Sequence, residues 1–395
     1  MSTITKSHGL DGTLVDPDWR PLERNEVCNV LRCFPGCDEP VEILSASPRP
    51  LSAASVVSVR DGRVFVKRHH RSVRDREGLI EEHNFVSHLR ANRSPIPRVL
   101  MTAANETVFE DGEWTYEVHE TPQGADAYQD AISWTPFRST VHAYSAGQML
   151  ARLHTAARGF SAPRRKPRPL VASFTIFAAG DPSAAMAQYI SARPALATHA
   201  ATRRNYSYAL ELLAPFHAEL LPHLASLQPL WTHNDLHASN LFWSGTADDA
   251  QATSVVDFGL ADQTNAVHDI AHAIERNIVE WLAVPEEPAH GDKVPVHLDH
   301  LFALLDGYEE VHPLSAEQTA ALAPMTALCH AEFALTEADY FLGVLHSEMR
   351  ARVATERYLV GHAQWFRSSA GQKLLDAIRR RSEDRDTRKQ EAPAR

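Results

Sequence analysis

The segment His233-Asn234-Asp235-Leu236-His237-Ala238-Ser239-Asn240 brings an acid, two amides and two imidazoles together. Seventeen residues beyond Asn240 stands Asp257-Phe258-Gly259, directly after the apolar, strand-like Ser254-Val255-Val256. These residue types suit phosphoryl transfer, which needs a nucleophile held in line with a phosphorus atom and cations to absorb the charge. Asp235 can accept a hydrogen bond, and then the proton, from a substrate hydroxyl. Asn240 offers a neutral oxygen and Asp257 an anionic one, the hard donors that Mg²⁺ prefers. The 22 histidines do not of themselves argue for zinc, and His233 is read as a brace for the loop backbone. The plainer reading of Asp235 and Asn240 is a capped turn, since both types favour turns. Their order relative to Asp257 and Lys67 favours the chemical one.

Such a site also needs a cation from elsewhere. Lys67 ends Val64-Phe65-Val66-Lys67 and is the only lysine between Lys6 and Lys166. In a chain that uses arginine for surface charge, a strand lysine calls for a reason, and an ammonium is a compact point charge suited to α/β-phosphates. Glu81 and Glu82 both sit in the next helix. Glu82 lies one turn before Phe85 and Val86 and seven residues before Leu89, on the inward side. The expected pair is therefore Lys67–Glu82, against the plainer reading of a surface ion pair worth about 0–1 kcal/mol.

The elements that must position these groups are legible as pattern. Val41–Leu44, Ser52–Arg60 and Arg63–Arg68 read as strands, with Asp61-Gly62 as a hairpin turn. Arg74–Ala91 is helical in period, and Ser94-Pro95-Ile96-Pro97 ends it. Two further strands are expected near Arg98–Ala104 and Trp114–His119. A long amphipathic helix spans about Arg138–Arg158, followed by a Pro- and Arg-rich loop over Ser161–Pro169. Most of the remainder is Ala- and Leu-rich and helical.

Phe65-Val66-Lys67, Glu82, Arg152-Leu153-His154, His233 to Asn240, Asp257 and Asp269-Ile270-Ala271 together resemble the aminoglycoside phosphotransferase family, which includes choline-kinase-like and homoserine-kinase-like small-molecule kinases. The H-x-D-L-x-x-x-N loop followed by D-F-G is also the pattern of protein-kinase-like enzymes. The resemblance runs from about Val41 to Leu282. It implies an α+β, bilobal protein-kinase-like fold: a small antiparallel-sheet N-lobe with one helix over residues 1–120, and a larger, mainly helical C-lobe over 121–378. It implies ATP and Mg²⁺ in the cleft, a small-molecule hydroxyl as acceptor, and a structural role for Asp269 under the catalytic loop. Adenine is expected on the backbone groups of Glu117, Val118 and His119.

Two departures stand out. The β-hairpin connection Ser45–Ser52 holds no glycine, so a glycine-rich phosphate cover is missing. Asn234 stands where protein kinases have an arginine that answers a phosphorylated loop, which argues for constitutive activity. Val284-Pro285-Glu286 imitates the end of an activation loop, but a helix read over Ala266–Leu282 leaves no room for such a loop, so a protein substrate is not expected.

Composition narrows the classes further. The chain has 395 residues, 44% of them hydrophobic and 23% charged, with net charge −11. That excludes a disordered chain and argues against a protein that coats nucleic acid. No secretory h-region or membrane-length apolar run is visible, so a cytoplasmic, membrane-free protein is expected. Cys28, Cys33 and Cys37 lack the usual zinc-pair spacing and fall near a helix read over Pro21–Phe34. Residues 379–395 read as a frayed, mixed-charge tail. Glu332, Glu337 and Asp339, with Glu275 and Glu280, are candidates to line a pocket for a cationic acceptor, or else a solvated helix face. The alternative to an enzyme is a catalytically inactive, kinase-like protein that binds nucleotide or a partner.

Overall fold

In the computed structural model the described residues are 7–8, 14–15, 17–37, 41–47, 49–131, 133–283 and 294–391. The small lobe is built on β1 (Glu42–Ala46), β2 (Ala53–Val59), β3 (Gly62–His70), β4 (Phe109–Asp111) and β5 (Trp114–Glu120). All pairings are antiparallel, in the spatial order β1-β2-β3-β5-β4. The β2–β3 turn falls at Asp61-Gly62 with Gly62 at φ 140°, a conformation that L side chains rarely adopt.

The register pairs Lys67 with Glu117 and Phe65 with His119 across β3 and β5. Side chains alternate along a strand. Val64, Val66, Tyr116 and Val118 therefore share one face, which forms a small core with Val27, Val30 and Leu31 of α1 (Arg24–Leu31). Cys28 and Cys37 are packed in that same core. Lys67, His69, Glu117 and His119 lie on the other face, toward α2 (Arg76–Ala91). α2 is capped by Asp75, whose carboxylate accepts from the Gly78 N–H. Its Phe85 packs among Phe160, Trp231 and Phe258, so α2 joins the sheet to the larger core.

Arg98–Ala104 does not form the expected strand. It meets β5 at one bridge, Val99 to His119, then turns at Thr102–Asn105 with Asn105 at φ 60°. That turn ends the pairing, and Phe109–Asp111 supplies the sheet edge instead.

The large lobe contains α3 (Thr140–Ala157), α4 (Ala200–Leu220), α5 (Ala266–Ile278), α6 (Leu298–Val311), α7 (Ala316–Leu328), α8 (His330–Gly343) and α9 (Ser369–Glu391). α3 and α6 approach backbone to backbone: a Cβ on Gly147 would overlap the Leu304 carbonyl, and one on Gly307 the Tyr144 carbonyl. Two short antiparallel pairs cradle the motif segments. β6 (Pro229–Thr232) pairs with β9 (Asp262–Asn265), and β7 (Leu241–Trp243) with β8 (Ala252–Val255).

α5 stops at Ile278 rather than Leu282, because Val279 is extended and bridges Val296. Val284-Pro285-Glu286 lies outside the described residues. The expected frayed tail begins instead as the continuation of α9. Arg379 grips Glu219 with two bonds of 2.9 and 2.8 Å, and Arg381 pairs with Asp306 and Glu309, which fastens the helix to the lobe. Among the described residues no helix is long and apolar enough to cross a membrane.

Candidate active site

The loop between β6 and β7 is held from below by Asp269, in the first turn of α5. Its carboxylate accepts from the His233 N–H (2.9 Å), the Asn234 N–H (2.8 Å) and His154 Nε2 (3.0 Å). His154 is fixed in turn by the Tyr308 hydroxyl on Nδ1 (2.8 Å). Burial pushes Asp269 up, but His154, then His233, outweigh it, so the carboxyl stays below its ordinary value. Here Asp269 and His154 carry the structure of the loop.

His233 ties the two motifs together. The Asp235 N–H donates to its Nδ1 (3.2 Å), so Nε2 donates to the Val256 carbonyl (3.0 Å) just before Asp257. Asn234 and Asp257 both have left-handed backbones, at φ 61° and 62°. Such conformers cost energy and persist where surroundings enforce them. The Asn234 side chain supplies part of that enforcement, bonding Thr232 and Thr264 through its oxygen and the Ala172 and Leu260 carbonyls through its nitrogen.

Above this loop, Lys67 Nζ from β3 reaches Asp257 Oδ1 at 3.0 Å across the cleft. The Lys67 side chain is 13% exposed and that of Asp257 43%, so the pair stands at the cleft surface. Burial pulls Lys67 down, but Asp257, then Glu117 and Glu82, hold it above its ordinary value. Desolvation pushes Asp257 up, and Lys67, then His233, hold it well below the usual carboxylate range. Glu82 is buried on α2 and acts on Lys67 through charge. No direct ion pair joins the two; Asp257 is the partner in hand. Glu81 turns away to Arg165 and Arg168.

Asp235 and Asn240 face one another inside the loop. Asn240 Nδ2 donates to the Asp235 carbonyl (2.9 Å) and reaches its carboxylate at 3.4 Å. The amide nitrogen is thus spent within the loop, which leaves the amide oxygen as the group for a cation. Burial raises Asp235, while His237, then Arg276 and His233, bring it below its ordinary value.

Glu117, Val118 and His119 lie within the sheet. The Val118 carbonyl accepts from the Leu100 N–H (2.7 Å), and the Glu120 N–H donates to the Arg98 carbonyl (2.9 Å). By the alternation of an antiparallel ladder, the backbone groups of Glu117 and His119 point the other way, toward β3. The Glu117 carboxylate is buried and receives three imidazoles: His69 on Oε1 (2.9 Å), and His83 and His119 on Oε2 (2.8 Å each). The connector that follows, Thr121–Gly124, is tied to β8 by the Gln123 carbonyl, which accepts from Thr253 and Ser254.

Two arginines at the site, Arg276 and Arg49, are absent from the sequence reading as site residues. Arg276 is fully buried on α5, two helical turns after Asp269, a spacing that puts both on one face. Its Nε donates to Asp235 Oδ1 (3.1 Å), and its Nη1 to Glu275 (2.8 Å) and to the Tyr358 hydroxyl (2.7 Å). Its guanidinium lies over Trp134 and Phe333, 4.7 and 4.2 Å from the ring centroids. Tyr358 projects from a π-helical stretch, Val353–Val360, a local geometry that often marks functional sites. Arg49, from the glycine-free β1–β2 connection, donates to Ser133 Oγ (2.7 Å) and feels the charges of Asp126, Asp257 and Asp235. The acidic candidates expected from the sequence separate. Glu332 caps the Thr175 and Ile176 N–H groups, Glu275 serves Arg276 and His362, and Glu280 meets His297. Asp339 stands 3.9 Å from Arg193, and burial pushes it up to about 6. Glu337 differs: its Oε2 is buried without a hydrogen-bond partner among the described residues, burial pushes it up to about 8, and it feels both Arg276 and Asp235. The α8 residues His330–Phe341 are all buried, so this is no solvated face.

A lysine from a sheet lobe, facing an aspartate and a catalytic-type loop on a helical lobe, defines a kinase-like fold. Residues 50–314 match the Phosphotransferase enzyme family, and the chain belongs to it. A search of curated proteins by sequence gives no match. Solved structures of similar fold include a microcompartment-associated aminopropanol kinase (17% identity, 89% of this chain and 100% of that one, TM-score 0.57). They also include the amicoumacin kinase hAmiN in complex with AMP-PNP, Ca²⁺ and Ami (12% identity, 87% and 93%, TM-score 0.53). A spectinomycin phosphotransferase with ADP and its substrate is a third (10% identity, 91% and 98%, TM-score 0.51).

Proposed function

We propose that this chain is an ATP- and Mg²⁺-dependent kinase that moves the γ-phosphoryl group to a hydroxyl of a small molecule. The observation that carries the reading is the 3.0 Å contact of Lys67 Nζ with Asp257 across the cleft, beside Asp235 and Asn240. The donor set fits Mg²⁺, since Asp257 and Asn240 present hard oxygens and the Asn240 nitrogen is already engaged. When bound, the ion would supply charge neutralisation at the phosphates. Lys67 would hold the α/β-phosphates, with Glu82 and Glu117 setting its field. Arg49 would take the place of the missing glycine-rich cover as a phosphate contact. The base would lie against the connector after Glu120, because the Val118 carbonyl is bonded to the Leu100 N–H and Glu117 and His119 pair with β3.

Asp235 would orient the acceptor hydroxyl and receive its proton. Glu337, a buried carboxyl with an unpartnered oxygen near Asp235, favours an acceptor with an amine near its hydroxyl, such as an aminosugar or an amino alcohol. That several similar folds act on antibiotics or on an aminopropanol supports this class.

The test is ATP consumption across a panel of aminoglycosides, amino alcohols and sugars. At least one amine-bearing alcohol should be phosphorylated. Asp235→Asn should keep ATP affinity while turnover drops by about 10²–10⁴-fold, the usual contribution of a general base. Transfer that survives Asp235→Asn would refute its role. Nucleotide binding without transfer to any acceptor would favour the inactive, binding-only alternative.

A further inference from the structure

We propose that His83, Glu117 and His119 form a binding site for one transition-metal dication, of the Zn²⁺, Co²⁺ or Ni²⁺ class, inside the small lobe. The site is distinct from Asp257 and Asn240, and the inference does not depend on the kinase reading.

The argument starts from the sheet register. Glu117 and His119 are two apart on β5 and so share a face, and His69 on β3 joins them. α2 lays His83 over that face. The ligand atoms of His83, Glu117 and His119 all lie within 4.8 Å of one another. His83 Nε2 and His119 Nε2 each stand 2.8 Å from the same oxygen, Glu117 Oε2. A tetrahedral ion with bonds of about 2.0–2.1 Å sets its ligand atoms about 3.3–3.4 Å apart, so modest opening of this trio admits one. The two rings are near perpendicular, at 81°, with centroids 6.1 Å apart. Two imidazoles and a carboxylate with one position open is a recognised zinc ligand set.

The surroundings are those of a metal site. His69 Nε2 occupies the other carboxylate oxygen, Oε1, at 2.9 Å and fixes its orientation. Thr107 Oγ1 bonds His83 Nδ1 at 2.8 Å, which leaves Nε2 as the coordinating nitrogen when the ring is neutral. Such outer contacts orient metal-binding histidines. Lys67, the nearby cation, has its charge matched by Asp257 at 3.0 Å. The His119 side chain is 19% exposed while Glu117 and His83 are nearly inaccessible, so the entry path runs over His119. Three imidazoles, from β3, α2 and β5, converge on this one carboxylate.

The experiment is a titration of the full-length, Mg²⁺-free protein with Co²⁺, read by visible absorption. The expected result is one equivalent showing the intense bands of four-coordinate, nitrogen-ligated Co²⁺. Oxygen donors at Asp257 and Asn240 would give only weak six-coordinate bands. His83→Gln and His119→Gln should each weaken binding by more than the roughly 10–100-fold expected of an outer-shell change, and Thr107→Val by about 10–100-fold. Circular dichroism checks that each variant is folded, and Thr107→Val keeps every ligand should a histidine variant fail that check. The double variant His297→Gln/His300→Gln, which removes the other histidine–carboxylate group, His297, Asp299 and His300, should bind as the parent does. The proposal is overturned if the parent shows no four-coordinate band, if the band survives in folded His83→Gln and His119→Gln, or if it is lost in the His297/His300 variant.

Discussion

Removing the Arg276 guanidinium should uncouple folding from catalysis in a measurable way. Its three hydrogen bonds reach Asp235, Glu275 and Tyr358 at 3.1, 2.8 and 2.7 Å, and the group has no exposure to solvent. Arg276→Met leaves Glu275 in the interior with only His362. Breaking a buried pair from one side costs about 3–5 kcal/mol, so urea unfolding should show a loss of that order. Arg276→Met/Glu275→Gln removes the stranded charge and should recover part of it. Turnover should not recover, because Asp235 has still lost its anchor. A hydrogen bond to a charged group is worth about 1.5–3 kcal/mol, which expressed in the transition state lowers kcat roughly 10- to 150-fold. The pH profile adds a signature that instability alone would not produce. Arg276 helps hold Asp235 below its ordinary value. Without it the carboxyl takes up its proton at higher pH, so the acid limb of kcat moves upward. Arg276→Lys keeps a charge but not the three-way fork, and should restore the limb better than the rate. A folded Arg276→Met enzyme with parental kcat and an unmoved acid limb would refute this reasoning.

Asp257→Ala should abolish Mg²⁺-dependent nucleotide binding in calorimetry, while leaving the fold intact by circular dichroism. Glu337 should make acceptor binding pH-dependent: burial pushes it up to about 8, and a cationic acceptor would need the carboxylate. Affinity should therefore rise with pH up to 8, by at most about tenfold per unit, and Glu337→Gln should flatten the profile; a parental profile without slope between pH 6 and 8 contradicts the pairing. Gly147→Ala should destabilise the chain by about 1–3 kcal/mol or more through overpacking, since its methyl meets the Leu304 carbonyl, and a thermal melt equal to the parent's would show that α3 and α6 do not cross so closely.

What could be read from the sequence was what local chemistry dictates. Asp235, Asn240 and Asp257 stand in one run of loop and strand, and phosphoryl transfer constrains both their types and their order. Lys67 was legible because lysine is so scarce in the small lobe. The hairpin at Asp61-Gly62, α2 and α3 followed from period and turn residues. The rest depends on distant pairing. The three imidazoles on Glu117 come from β3, α2 and β5, 48, 34 and 2 positions away. Arg276 finds Asp235 across 41 positions and Tyr358 across 82. Glu82 turned inward as its helical phase required, yet the phase could not say that Lys67 would rest on Asp257. The α9 continuation was hidden because its arginines find acids on α4 and α6, which local charge counting cannot reveal.

The central claim is that one small-lobe amine and three large-lobe oxygen-bearing side chains serve a single triphosphate. A crystal of the protein soaked with ADP and Mg²⁺ tests it most directly. The account predicts the diphosphate on Lys67 Nζ, an ion held by Asp257 and Asn240, and open space beside Asp235 for the acceptor. Nucleotide bound away from Lys67, or an ion that ignores Asp257, would contradict it.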